Sequence, residues 1–170
     1  MEYLIVDGYN IINAWDDIFD INGGEPLEDC RDKLANMLSN YQGVRKYNII
    51  LVFDAHLKKG GREKEYFFDN IKIVYTKEGE TADNYIERFV HQLGNLHTVR
   101  VATSDYLEQT MILSNGGIRM SPRELREELE MVNKDIKTVL FPNRVKTNAI
   151  GTNIDPALLE KLEGMRRGER

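Results

Sequence analysis

Ile49-Ile50-Leu51-Val52-Phe53-Asp54 is a run of five apolar residues closed by an acid. A run with no polar alternation fits a strand covered on both faces, the place of an inner strand in a parallel sheet. Working outward, Tyr3–Val6 is a second such run and stops at Asp7-Gly8. Ile71–Tyr75 reads as the third strand. Val99–Ala102 reads as the fourth and stops at Thr103-Ser104-Asp105, and Ile118–Met120 reads as a short fifth. Helical periodicity fills the gaps. Leu27, Leu34, Leu38 and Tyr41, with Cys30 or Met37 completing the stripe, predict a helix ending at Gly43. Thr81 is a fitting N-cap for a helix with Ala82, Ile86, Phe89 and Leu93 on one face. A short helix is expected over Tyr106–Leu113. Ser121-Pro122-Arg123-Glu124 has the spacing of a capping box and opens another, with Leu125, Leu129 and Val132 on its apolar face. Lys58–Glu65, charged and containing Gly60-Gly61, reads as an exposed loop. Past Lys137 the pattern weakens, with a loop expected over Asn143–Thr152 and a last short helix over Pro156–Met165. Strands alternating with helices give an α/β fold with a mostly parallel sheet and helices on both faces.

The bulk properties exclude several function classes. A chain of 170 residues suits one domain, since domains run to roughly 100–200 residues. With Cys30 as the single cysteine, neither an intrachain disulfide nor a cysteine zinc cage can form, and a reducing cytoplasm is the expected setting. The longest apolar run is five residues, against about 20 needed to span a membrane, and no basic segment precedes the first apolar run, so a signal peptide is not expected. A net charge of −5 argues against a generally basic nucleic-acid coat protein. Residues 138–170 carry six basic and four acidic residues, a net +2, which leaves −7 on residues 1–137 and leans the tail toward an anionic partner.

The acids carry the chemistry. Asp7, Asp54 and Asp105 each end a strand, and Asp83 lies in the first turn of the helix after the third strand, with Glu80 just ahead of its cap. In an open parallel sheet the ligand sits outside the carboxyl ends of the strands, where strand order reverses. All four aspartates are delivered to that rim. One aspartate there is ordinarily a turn former or a cap, and Asp83 suits a helix start on dipole grounds alone. Four together repel one another unless a cation is present or some of them protonate. Oxygen donors without thiolate suit Mg²⁺ or Mn²⁺, one ion or two, and such ions do defined chemistry on phosphodiesters.

Several neighbours are candidates of lesser weight. Asn10 either orients a ligand or caps the helix expected near Ile11. Thr103 and Ser104 either hold a phosphate oxygen or, the simpler reading, cap the helix that follows. Lys58, Lys59, Arg62 and Lys64 sit directly after the Asp54 strand. They could clamp a phosphate backbone, although Glu63 and Glu65 interleave with them. Arg31 is a further basic candidate. Tyr9 and Trp15 read as packing residues with base stacking as the alternative. His56, His91 and His97 form no ligand pattern; His56, two residues past Asp54, could touch substrate, and metal-bound hydroxide is the expected nucleophile.

Taken in order, Asp7-Gly8-Tyr9-Asn10, Phe53-Asp54-Ala55, Glu80-Thr81-Ala82-Asp83 and Thr103-Ser104-Asp105 resemble the YacP-like NYN domain, a branch of the PIN-like nuclease superfamily. The resemblance spans nearly the whole chain. It implies a three-layer sandwich with a mostly parallel central sheet, helices on both faces and C-terminal helices. Residues 1–137 would form the nuclease domain, and residues 138–170 an extension packed on it. It implies a Mg²⁺- or Mn²⁺-dependent endoribonuclease acting on single-stranded RNA. Asp7, Asp54, Asp83 and Asp105 would be its catalytic and metal-binding acids; Asn10, Arg31, Lys58, Lys59, Arg62 and Ser104 are the candidates for holding substrate. The resemblance extends to a bacterial ribosome-associated enzyme that cuts messenger RNA in the A site, which implies a cytoplasmic monomer that meets the large subunit and acts in mRNA decay. The acidic balance adds an expectation of weak affinity for free RNA, offset by recruitment to a larger particle.

Two other classes compete. A receiver needs an acidic pair after the first strand and a lysine after the last, and an aspartyl phosphatase needs an aspartate at residue 9, where tyrosine stands. No Gly-Lys-Ser/Thr loop is present for a P-loop hydrolase. The second class is a ribosome- or RNA-binding module that kept the fold and lost the cutting, which the full set of aspartates argues against.

Overall fold

The run that opens the sequence reading becomes β2 (Asn48–Phe53), and β1 (Glu2–Asp7) lies parallel beside it, with Asp7 level with Val52. The computed structural model describes residues 1–55 and 63–140. Over these, β3 (Lys64–Phe68), β4 (Ile71–Tyr75), β5 (Thr98–Ala102) and β6 (Ile118–Met120) complete a six-stranded sheet in the order β3-β4-β2-β1-β5-β6. All pairings are parallel except β3 with β4. From β1 the chain builds outward through β2 and β4, then returns to β5 on the other side of β1. The strand order therefore reverses between β1 and β5, and a crevice opens at their carboxyl ends.

Among the described residues there are five helices, of which four lie between strands and the last follows β6: α1 (Gly8–Ala14), α2 (Leu27–Arg45), α3 (Ala82–Leu93), α4 (Tyr106–Ser114) and α5 (Pro122–Leu140). Side chains alternate along each strand, so the two sheet faces build separate cores. On one face Ile5, Ile50, Val52, Val74, Val99 and Val101 pack with Ile86 and Val90 of α3 and Ile112 of α4. On the other, α1 and α2 cover β2, and Leu34 and Leu38 of α2 are fully buried along with Leu4, Val6, Leu51 and Phe53. No helix among the described residues is long and apolar enough to cross a membrane. The chain divides into two compact units, Met1–Asn133 and Lys134–Arg170. In the second, only residues 134–140, the end of α5, are described; the loop and short helix expected beyond, and the extension's packing, lie outside the described residues.

Three local expectations are corrected. Lys64 and Glu65, read as loop, belong to β3, which supplies the antiparallel edge strand. The sequence hides it because its first four residues are exposed, so it has no apolar alternation to read. Its turn at Asp69-Asn70 is held by Asp69 at φ 54°, with the Ser39 hydroxyl donating to Asp69 Oδ2 at 2.6 Å. Second, α2 runs through Gly43 and stops two residues later, where Lys46 takes the left-handed conformation at φ 62°. Third, α1 starts at Gly8, capped by Asp7 and not by Asn10. The capping box at α5 forms as read: Glu124 N–H donates to Ser121 Oγ at 3.2 Å and Ser121 N–H donates to Glu124 Oε2 at 2.6 Å.

Candidate active site

The end of β1 sets the site. Asp7 is only 3% exposed, and its carboxylate accepts the Asn10 N–H at 3.3 Å and Asn10 Nδ2–H at 2.5 Å. The turn that allows this needs Gly8: a Cβ there would lie 2.2 Å from the buried Phe53 ring. Asn10 Oδ1 accepts the Ser104 hydroxyl at 2.6 Å, which ties the loop after β1 to the loop after β5 across the crevice. Asn10 thus orients both Asp7 and Ser104.

Two more carboxylates converge on Asp7. One oxygen each from Asp7, Asp83 and Glu108 lies within 4.8 Å of the other two. Asp83 arrives on the first turn of α3, whose cap is Thr81, accepting Asn84 N–H at 3.2 Å. Glu108 arrives on the first turn of α4. It is 3% exposed, and neither carboxylate oxygen has a hydrogen-bond partner. Burial pushes the Glu108 carboxyl up to about 8, with Asp7, Asp83 and Asp105 adding to the rise; the nearby Thr103 side chain, outside full hydrogen-bond geometry, opposes it. Asp7 and Asp83 are also held above the usual carboxylate range, first by burial. For Asp7 the charges of Asp83 and Asp54 add to this, against the Asn10 hydrogen bonds; for Asp83 those of Asp105 and Asp54 do.

The other two predicted acids stand around this trio. Asp54, at the end of β2, lines an open cavity of about 340 Å³ together with Asp7, Tyr9, Asn10, Thr81, Ala82 and Asp83. Asp105 caps α4, its Oδ1 accepting Leu107 N–H at 2.8 Å and Glu108 N–H at 3.4 Å. That cap belongs to Asp105 rather than to Thr103 or Ser104, as the sequence reading had preferred; the Thr103 hydroxyl instead accepts the Asp105 N–H at 3.1 Å. Glu80 turns to Arg88, 3.2 Å away.

Among the candidate substrate contacts, Arg31 Nη1 donates to the Tyr9 hydroxyl at 3.1 Å, and Tyr9 packs on Phe53. Lys58, Lys59, Arg62 and His56 lie outside the described residues. Trp15 is core: it is 2% exposed, stacks on Phe19 and donates to the Pro122 carbonyl. His91 is exposed on α3, and His97 packs against Tyr3 near the opposite end of the sheet.

Glu108 is the residue that sequence reasoning missed. Asp105-x-x-Glu108 has capping-box spacing, which predicts a glutamate folded back on the cap N–H. Thr103 already satisfies that N–H, so Glu108 is released to the interior, on the same buried face as Ile112. A glutamate four residues before a buried isoleucine was the one available signal.

A donor set made only of carboxylate oxygens, with Glu108 buried and without a partner on either oxygen, fits a hard divalent cation such as Mg²⁺ or Mn²⁺. A cation would offset the burial, and the repulsion from neighbouring carboxylates, that together raise these three groups.

The chain resembles known proteins along its full length. It is 38% identical over 170 residues to YacP of Bacillus subtilis (strain 168), covering 99% of both chains. The crystal structure of Rae1 (YacP) from Bacillus subtilis superposes with a TM-score of 0.70 at 37% identity, over 99% of this chain and 96% of that one. A mutant of the same protein gives 0.71 at 34% identity, with the same coverage. The family model of the YacP-like NYN domain matches residues 4–167. With the α/β sheet, the acidic rim and this match together, the chain belongs to the YacP-like NYN domain family.

Proposed function

We propose that the chain is a metal-dependent endoribonuclease that cleaves single-stranded RNA. The observation that carries this is the convergence of Asp7, Asp83 and Glu108 within 4.8 Å, with Glu108 buried and unpartnered. A carboxylate that costs this much to bury is retained for a cation or a proton, and the family supplies the nuclease context. Asp7, Asp83 and Glu108 would hold Mg²⁺ or Mn²⁺, with Asp54 and Asp105 as the flanking acids. When bound, such an ion polarises a phosphoryl oxygen and makes water a nucleophile near neutral pH.

The protein groups have separable tasks. Asn10 locks the Asp7 carboxylate through two hydrogen bonds and holds Ser104 across the crevice. Ser104 lies beside Asp105 at the rim and is assigned a phosphate contact, for which its hydroxyl would turn away from Asn10 Oδ1. Arg31, fixed to the Tyr9 hydroxyl, offers a cation to the RNA backbone next to the cavity. Lys58, Lys59 and Arg62 are assigned the same role from their place in the sequence after β2. The family resemblance is what makes messenger RNA in the ribosomal A site the proposed substrate; the net charge of −5, which gives little general pull on RNA, suits recruitment by a larger particle. Docking on the large subunit supplies effective concentration. In this reading the enzyme is a cytoplasmic monomer, residues 1–137 cut, and residues 138–170 form the extension whose basic balance suits an anionic partner.

The test is cleavage of messenger RNA with and without translating ribosomes, in Mg²⁺, Mn²⁺ or EDTA, by the native protein and by Asp7→Asn. Metal-dependent cuts that need ribosomes and vanish in the variant are expected. Cuts on naked RNA of equal rate would remove the ribosome from the proposal. Ribosome binding without cutting under any condition would make the chain a binding module.

A further inference from the structure

A strip of aromatic rings leads away from the acidic cavity. Tyr9, which lines the cavity, packs on Phe53 with ring centroids 5.0 Å apart. Phe53 stacks on Tyr75 at 5.5 Å, and Tyr75 stacks on Tyr66 at 6.3 Å with the planes 15° apart. The strip thus crosses from β2 through β4 to the edge strand β3, near the carboxyl rim of β2 and β4, where Phe53 is level with Tyr75 and Tyr75 with Lys64. Phe53 is the buried spine; Tyr9 and Tyr75 are half-buried, and Tyr66 is 46% exposed. The Arg31 guanidinium lies over the Tyr75 ring, 5.9 Å from its centroid, while donating to Tyr9, so a cation is pinned midway along the strip.

Tyr66 and Tyr75 are diagonal neighbours across β3 and β4, a contact that helps hold the edge strand without requiring the outer ring to be exposed. Here the outer ring stays open, one end of the row meets the catalytic cavity, and a guanidinium is fixed in between. Aromatic platforms interleaved with a cation are what a single strand of nucleic acid requires: stacking is tolerant of base identity, and the cation follows the backbone. We propose that Tyr66, Tyr75, Tyr9 and Arg31 form a binding track for single-stranded RNA that stacks a base on Tyr66 and guides the strand from the sheet edge into the acidic cavity. This rests on the nuclease reading above and extends it to the nucleotides flanking the cut.

The test is a heteronuclear NMR titration of the full chain, as its Asp83→Asn variant in Mg²⁺, with hexauridylate RNA up to millimolar concentration. Shifts centred on Tyr66, Tyr75 and Arg31 are expected. Tyr66→Thr, which keeps strand propensity, should raise the Kd about tenfold, and Tyr66→Trp, which keeps a ring, should bind like the native residue. With the acids intact, Tyr66→Thr should raise KM for RNA cleavage and leave kcat unchanged. Shifts confined to the acidic cavity, or an unchanged Kd and KM in Tyr66→Thr while RNA is still cut, would overturn the track and leave the nuclease standing. Neither binding nor cutting by the native chain, with Asp83→Asn indistinguishable from it, would overturn both. The shift map requires no change at residue 66, so poor folding of that variant does not block the test.

Discussion

Replacing Glu108 with glutamine should stabilise the metal-free protein, and the gain should depend on pH in a defined direction. The side chain keeps its size and remains buried, but it can no longer ionise. In the folded chain the Glu108 carboxyl sits at about 8 against an ordinary 4.5. Below pH 4.5 it is protonated both folded and unfolded and costs nothing. Between those two values only the unfolded chain releases the proton, so native stability falls as pH rises, and the loss levels off above about 8. From these two values the cost is about 3 kcal/mol at pH 7 and about 1 kcal/mol at pH 5. The burial of the amide in Glu108→Gln is the same at both pH values and cancels in the comparison. The variant should therefore gain about 2 kcal/mol relative to the native chain between pH 5 and pH 7, or roughly 4–8 °C in Tm for a chain of this size. Thermal unfolding in EDTA, followed by circular dichroism at the two pH values, reads this directly. An offset between the proteins that is the same at pH 5 and pH 7, or that turns against the variant as pH rises, would refute the argument that a desolvated, ionisable Glu108 strains the site.

Other outcomes follow from the same geometry. Mg²⁺ or Mn²⁺ at a hundred times its Kd should stabilise the native chain by about 3 kcal/mol, and Glu108→Gln should lose most of that gain; calorimetry with each ion checks it. Gly8→Ala drives a Cβ against the buried Phe53 ring at 2.2 Å and should cost about 1–3 kcal/mol in urea unfolding, with RNA cleavage falling further than stability because Asp7 is displaced. Asp105→Ala removes the α4 cap and should cost about 1 kcal/mol; hydrogen exchange should locate the loosening in the first turn of α4, the turn that carries Glu108. Asp83→Asn should abolish metal-dependent cleavage while circular dichroism stays native.

The parallel strands were legible because their apolar runs sit between turn residues, and the rim position of Asp7, Asp54, Asp83 and Asp105 followed because a carboxyl end of a strand is a place, whatever the boundaries. The caps were harder. Asp7, Asn10, Thr103, Ser104 and Asp105 all have side chains able to bond a helix N-terminus. Which one does so depends on partners in other loops, as when Ser104 reaches Asn10 across the crevice. Edge strand β3 escaped for a related reason: its residues face water, so its pattern reports solvent rather than pairing.

By itself, then, the sequence determined an α/β sheet with acids along one rim, because hydrophobic periodicity and strand ends are local properties. Only the tertiary structure decided that Asp7 and Asp83 are joined in one cluster by Glu108, with Asp105 serving as a helix cap. It also decided that aromatic residues drawn from α1 and three separate strands line up in one row. Those relations join residues as far apart in the chain as Asp7 and Glu108, and no short-range pattern encodes them.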